Sequence, residues 1–273
     1  MKTIKLHSTS QEVEIWQKML IQLGYMLALN SEEFDNNTHD STKLFQAVNG
    51  LYPDGVVGEK TWELFVLRSK LLNYSDYKRV ASEIGCEKEA IMAVSKVESP
   101  HSGFYLDGRP RILFEGHVFY SQLKNVGIDP EPLSVEYPTI VYQKWTHKHY
   151  KGEGSGMTTD IDDEYERLDI ARTIHEDAAL KSASWGKYQV MGFNYNICGY
   201  PDLNSFIMDA QASESAHLNM FVEFIKNKKL EESLRTLNWE KFALKYNGKG
   251  YKKHKYDERI AEAYKFFKSL KLV

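Results

Sequence analysis

Apolar residues recur at helical spacing along most of the chain, and turn-forming residues cut that pattern into short pieces. Thr9-x-x-Glu12 reads as a capping box. Val13, Trp16, Leu20 and Leu23 then share one helix face, with Gly24 placed to end it. A second helix is predicted from Thr38, carrying Leu44, Phe45 and Val48 inward. Pro53-Asp54-Gly55-Val56-Val57-Gly58 is turn chemistry, and a short helix from Lys60 to Leu67 buries Trp62, Leu64 and Phe65. Three short helices joined by tight turns predict a small bundle without a cluster of catalytic groups. Further on, Asp76 is placed to cap a helix through Val80, Ala81 and Ile84 that breaks at Gly85. Another helix runs from Glu87 to Glu98, with Ile91, Val94 and Val97 on one face. Ile112 to Phe114 reads as a short buried strand. A terminal helix from Tyr256 to Lys271 turns Ile260, Ala263, Tyr264, Phe267 and Leu270 to one side. The pattern predicts a mainly α-helical protein, a small bundle followed by a larger helical body.

Composition narrows the class without choosing a function. A length of 273 residues suits one or two domains. With 42% hydrophobic and 27% charged residues the chain can form a folded core. A net charge of −3 does not suit a dedicated nucleic-acid binder. No apolar run is long enough to span a bilayer, and Met1 to His7 lacks the apolar core of a secretory signal. Cys86 and Cys198 cannot form a disulfide framework and read as small buried residues. The charge is uneven: −2 over residues 1–72, −7 over 73–239 and +6 over 240–273. The basic end is either a solvated helix face or a contact for an anionic surface.

Candidate chemistry begins with Glu98. It closes a helix just before Ser99-Pro100, where the helix dipole is negative. That end disfavours a carboxylate, and apolar neighbours disfavour it further, so its pKa should rise toward the range a general acid needs. Glu115 follows the predicted strand, with Arg109 and Arg111 near enough in sequence for a structural ion pair. Ser182 to Tyr195 is rich in aromatics and glycine and holds Gln189, an amide able to donate and accept. Aromatic faces and amides suit sugars and their N-acetyl groups; a packed core turn is the competing reading. Lys245 to Tyr251 forms a turn presenting Tyr246 and Tyr251, or a plain surface loop.

Metal and phosphate chemistry find little support. His147-x-His149 is the closest histidine pair, His101, His117 and His175 are scattered, and no His-Glu-x-x-His or Cys-x-x-Cys spacing occurs. Asp160-Ile161-Asp162-Asp163-Glu164 lacks the glycine and terminal glutamate of a calcium loop and reads as acids in a helix's first turn. Gly152-Glu153-Gly154-Ser155-Gly156 lacks the Lys-Ser/Thr of a phosphate loop and reads as a loop at a cleft rim. No cofactor is expected.

Val13…Gln17…Leu20…Leu23-Gly24-Tyr25…Phe34-Asp35…Thr38…Phe45-Gln46…Asp54-Gly55-Val56-Val57-Gly58…Thr61-Trp62 resembles the type 1 peptidoglycan-binding domain. The match covers about residues 1–70 and implies a non-catalytic wall-binding module. Glu98-Ser99, Gly186-x-x-Gln189-x-Met191 and Tyr246-Asn247-Gly248 resemble the motifs of the lysozyme superfamily. Arg109 to Glu115, Ser184 to Tyr195 and Tyr246-Asn247-Gly248-x-Gly250-Tyr251 are similar, more closely, to the N-acetylmuramidase family of modular phage endolysins, over residues 75–273. Gly116 departs from that family, which carries a larger, often basic residue there.

The resemblance implies cleavage of the β-1,4 bond between N-acetylmuramic acid and N-acetylglucosamine. Glu98 is then the general acid, and Glu115 the candidate second carboxylate, as base or as nucleophile. Ser99, Tyr188, Gln189, Tyr246, Asn247 and Tyr251 are the expected glycan contacts. The alternatives are a lytic transglycosylase, which shares these motifs, and a non-catalytic wall-binding protein. Peptidoglycan is the expected partner and a monomer the expected state. The basic end would face the wall's carboxylates or the anionic lipid of an outer membrane. The expected location is the host cytoplasm until lysis, then the periplasm. Because the catalytic motifs all lie beyond residue 72, the module is expected to be removable without unfolding the rest.

Overall fold

The computed structural model describes all residues except 27, 29, 30, 100, 150–160 and 271–273. The predicted Gly152–Gly156 rim loop therefore lies outside the described residues, as do Asp160 and Lys271.

The N-terminal bundle holds α1 (Gln11–Gln22), α2 (Asn36–Val48) and α3 (Glu59–Glu63), the last continuing as a 3-10 turn over Leu64–Leu67. Its first cap is not the predicted one. Ser10 is the N-cap of α1, without a side-chain cap bond, and Thr9 instead pairs with Glu33 in an antiparallel bridge. The extended chain before the helix gained more from pairing than Thr9 could gain from capping. Trp16 centres the bundle, with the rings of Phe45 and Trp62 edge-on at 5.3 Å. The Gln46 side chain donates to Asp54 Oδ1 and the Val56 carbonyl and accepts from the Gly55 N–H. The Gln46 and Asp54-Gly55 motif positions thus staple a turn to α2.

The body begins with α4 (Tyr74–Ile84), where Asn73 is the N-cap and Asp76 completes the capping box. There follow α5 (Lys88–Glu98), β1 (Ile112–Phe114), α6 (Gly116–Asn125) and α7 (Pro130–Glu136). Next come α8 (Ile161–Ile174), α9 (Glu176–Lys181), β2 (Ala183–Trp185) and β3 (Val190–Met191). The chain ends with α10 (Leu203–Ala212), α11 (Glu214–Asn227), α12 (Glu231–Arg235), α13 (Trp239–Asn247) and α14 (Tyr256–Ser269). The strands form one antiparallel sheet in the order β1-β2-β3, with Leu113 opposite Ser184 and Trp185 opposite Val190. α14 lies along α5, burying Ile260, Ala263 and Phe267, as its apolar face predicts.

Bundle and body share one continuous core and are also joined by polar contacts. Lys96 Nζ donates to the Ala47 carbonyl at 3.3 Å, and Lys187 Nζ to the Val48 carbonyl at 3.2 Å. Both ammonium groups meet the C-terminal end of α2, where the helix dipole favours cations. Lys187 and Glu214, both fully buried, stand 3.4 Å apart. Glu214 also accepts from the Leu72 N–H, the Ser102 hydroxyl and the Gly103 N–H. The linker between the two parts is therefore hydrogen-bonded into the interior of the body. Removing residues 1–72 would take the Leu72 N–H from Glu214 and the Val48 carbonyl from Lys187.

Candidate active site

α5 delivers Glu98 at its last turn, and α13 delivers Asn247 at its own end. The Asn247 amide nitrogen lies 3.3 Å from each carboxylate oxygen of Glu98. Burial pushes the Glu98 carboxyl up to about 7, against a smaller opposing pull from Asn247 and from the Arg259 charge on α14. Tyr246 closes one side: its ring stacks on Phe242 at 5.5 Å and meets Phe221 and Phe224 edge-on. Burial, and then the nearby Glu98 charge, raise the Tyr246 phenol far above its ordinary value, and the same causes raise that of Tyr256.

The Gly186 to Gln189 turn joins β2 to β3. Gly186 has φ +69°, and a Cβ there would sit 2.4 Å from the His217 ring, so the position requires glycine. Gln189 itself has φ +49°, a left-handed conformation uncommon outside glycine. Its amide donates to the Gly186 carbonyl at 2.9 Å and accepts from the Ser184 hydroxyl at 2.7 Å. Gln189 thus holds its own turn.

Of the expected glycan contacts, Tyr246 and Asn247 gather at Glu98, and the others are engaged with protein. The Ser99 hydroxyl donates to the His101 carbonyl and fixes the turn after Glu98. Tyr188 is buried, stacked on Phe221 at 4.4 Å, with its hydroxyl 2.8 Å from Ser95 Oγ. Tyr251 is buried and donates to Glu240. These aromatics pack because each ring finds an apolar neighbour and each hydroxyl a polar one.

Glu115 is the N-cap of α6, tied by its N–H to the Ser182 carbonyl. Its carboxylate oxygen lies 3.2 Å from His117 Nδ1. Arg109 pairs with Asp107 at 2.7 Å and lies over the Tyr165 ring, while Arg111 lies over Tyr105. The arginine partners expected from sequence thus turn elsewhere, and a histidine two residues on takes the place beside Glu115. Gly116 follows because a Cβ there would meet the Tyr142 ring at 2.3 Å.

Sequence reasoning missed three groups. Arg259 and Tyr256 sit in the first turn of α14, near the buried Ile260 and Ala263, and carry no motif signal of their own. The sequence marks Glu164 only as an acid in a helix's first turn; it is 1% exposed, pairs with Arg167 at 3.0 Å and accepts from the Phe114 N–H at 2.7 Å. It supports β1 and hence the position of Glu115. The basic end is also less free than its sum implies, because Lys252, Lys255 and Lys268 pair with Glu240, Glu258 and Glu87. Among the described residues no cluster of His, Cys, Asp and Glu could hold a metal.

The N-acetylmuramidase family profile matches residues 87–268, and that of the peptidoglycan binding domain matches residues 9–65. Among solved structures, the crystal structure of a Burkholderia AP3 phage endolysin is 34% identical, with a TM-score of 0.70 over 98% of this chain and 100% of that one. A search of curated proteins found no match. The chain belongs to the N-acetylmuramidase family, a lysozyme-type glycoside hydrolase that acts on peptidoglycan. With a peptidoglycan-binding domain in front of the catalytic one, it has the layout of a modular endolysin.

Proposed function

We propose that Glu98 is the general acid of this muramidase, that residues 1–70 bind the wall and that residues 75–273 cut the glycan. The observation that carries this reading is a buried carboxyl whose pKa of about 7 keeps a proton available near neutrality. Glu98 gives its proton to the glycosidic oxygen between N-acetylmuramic acid and N-acetylglucosamine. Water adds at the anomeric carbon as the glycosidic bond breaks, and its proton passes to Glu115 acting as base or, if Glu115 is the nucleophile, back to the Glu98 carboxylate. Glu115 is the carboxylate that serves the oxocarbenium-like centre. Tyr246 excludes water on one side of the acid, and Asn247 orients it. Ser99 and Gln189 hold the turns that frame the cleft. Tyr188 and Tyr251 pack the wall behind it. The protein waits in the host cytoplasm and reaches the wall at lysis. Lys253 and Lys265, which make no ion pair among the described residues, are cations the basic end offers to an anionic surface.

Digestion of purified peptidoglycan, followed by mass spectrometry of the fragments, tests the reaction. Hydrolysis leaves reducing N-acetylmuramic ends. Anhydro-muramic ends, lighter by one water, would make the enzyme a transglycosylase, and no fragments would leave only a binding protein.

A further inference from the structure

A crevice of about 430 Å³ lies where bundle meets body. Gly50 lines it from the bundle, Lys96 and Val97 from α5, and Arg259, Glu262 and Phe266 from α14. It adjoins the acid, since Val97 directly precedes Glu98 and the Arg259 charge reaches Glu98. We propose that this crevice binds a free carboxylate of the stem peptide carried by the muramic acid under cleavage, with Arg259 as its anchor.

Three features argue for this ligand. First, Arg259 has no ion pair or side-chain hydrogen bond among the described residues. Its guanidinium lies 5.4 Å over the Tyr256 ring, a contact that steadies the plane and leaves its N–H edges open for a carboxylate. Second, Lys96 uses one donor on the Ala47 carbonyl, and an ammonium has three. Burial lowers its pKa, so a carboxylate beside it would relieve a desolvated charge. Third, Glu262 limits the positive charge, which suits a peptide carrying amines beside its carboxylates better than a polyanion.

The substrate's own chemistry brings such a group here. The lactyl arm that carries the stem peptide hangs from the sugar ring whose anomeric bond is broken. Two residues of extended peptide span roughly 7 Å. The peptide must therefore leave the cleft close to Glu98. The inference rests on the assignment of Glu98 as the acid.

The test uses the full-length protein and three soluble glycan chains. The first carries intact stem peptides, the second has been stripped of them with the freed lactyl carboxyl converted to a carboxamide, and the third has its peptide carboxylates converted to carboxamides. The parent should show its lowest KM on the intact chains. Arg259→Gln should raise that KM about tenfold, the effect of losing one charge-assisted hydrogen bond, and so erase the preference. The carboxamide chains should bring the parent to the same KM. If the ratio of KM values on intact and stripped chains is equal in parent and variant, the crevice takes no carboxylate. Equal parent KM values on intact and carboxamide chains would also overturn it. If Arg259 acts only through Glu98, the variant changes kcat equally on all three chains and moves the alkaline limb of the pH profile upward, which again rejects the proposal. If the parent cleaves none of the chains, including the stripped ones, the assignment of the cleft itself fails and the crevice with it.

Discussion

The Asn247 amide stands 3.3 Å from both carboxylate oxygens of Glu98, across 149 residues of chain. A neutral donor stabilises the charged carboxylate without supplying a full positive charge, so burial still wins and the proton stays on to about 7. The activity of the enzyme should therefore fall above about pH 7, as the acid loses its proton. Removing the amide with Asn247→Ala removes a group that lowers the pKa, so the alkaline limb should shift to higher pH. An unchanged limb in this variant would mean that Glu98 does not set it.

The same burial has a cost for the fold. The Glu98 carboxyl titrates near 7 in the folded protein, against an ordinary 4.5. Between these values the unfolded chain gives up its proton first, so stability is lost as pH rises from about 4.5 through about 7. The loss is on the order of 3 kcal/mol by pH 8. Glu98→Gln should raise the melting temperature at pH 8 and change it little at pH 4. A variant less stable than the parent at pH 8 would contradict the buried, charged state of Glu98.

Glu115 and His117 face each other at 3.2 Å at the start of α6. Glu115→Gln keeps the shape but removes the charge, and turnover should drop while binding to insoluble wall is retained. Full turnover in this variant would leave Glu115 as a structural partner of His117. Gly116→Ala tests the neighbouring contact: its methyl group must displace the Tyr142 ring, which should cost about 1–3 kcal/mol of stability.

Lys187 couples the bundle to the turn that follows the acid. Its ammonium donates to the Val48 carbonyl and, at 3.3 Å, to the His101 carbonyl, beside its pairing with Glu214. Lys187→Met leaves the Glu214 carboxylate buried without its cation, and a loss of about 3–5 kcal/mol is expected. Denaturant unfolding measures it. Lys187→Met/Glu214→Gln should recover part of that loss. Deleting residues 1–72 should lower the melting temperature of the remainder, because Lys187 and Glu214 lose the Val48 and Leu72 backbone groups. A truncated protein as stable as the parent would show that these contacts carry no energy.

Local rules made much of the architecture legible. The apolar faces of α4, α5 and α14 were visible because their spacing is helical, and Ile112–Phe114 because its apolar run is short and bounded. Glu98 stood out because a carboxylate at a helix C-terminus is locally disfavoured. Long-range geometry was not legible. Asn247 and Glu98 are linked in the sequence only through the family resemblance, and no local rule links Lys187 to Val48 or Glu164 to Phe114, since these pairs meet only when α13, the β2–β3 turn and α8 dock. Tyr188 and Gln189 carry the motif pattern, yet whether a motif side chain faces a sugar or its own turn depends on packing. The Thr9 capping box failed for a related reason: the pairing of Thr9 with Glu33 competes with the local cap and is invisible within a four-residue window.

The most direct test is the rate at which Glu98→Gln clears purified peptidoglycan, measured beside its melting temperature and its binding to insoluble wall. The substitution keeps the side chain's shape and removes its transferable proton. Turnover should fall roughly 100- to 10,000-fold, with the fold and wall binding retained. A well-folded, wall-binding variant that still clears peptidoglycan at more than about a tenth of the parent rate, far above the loss expected of a missing general acid, would contradict the assignment of Glu98.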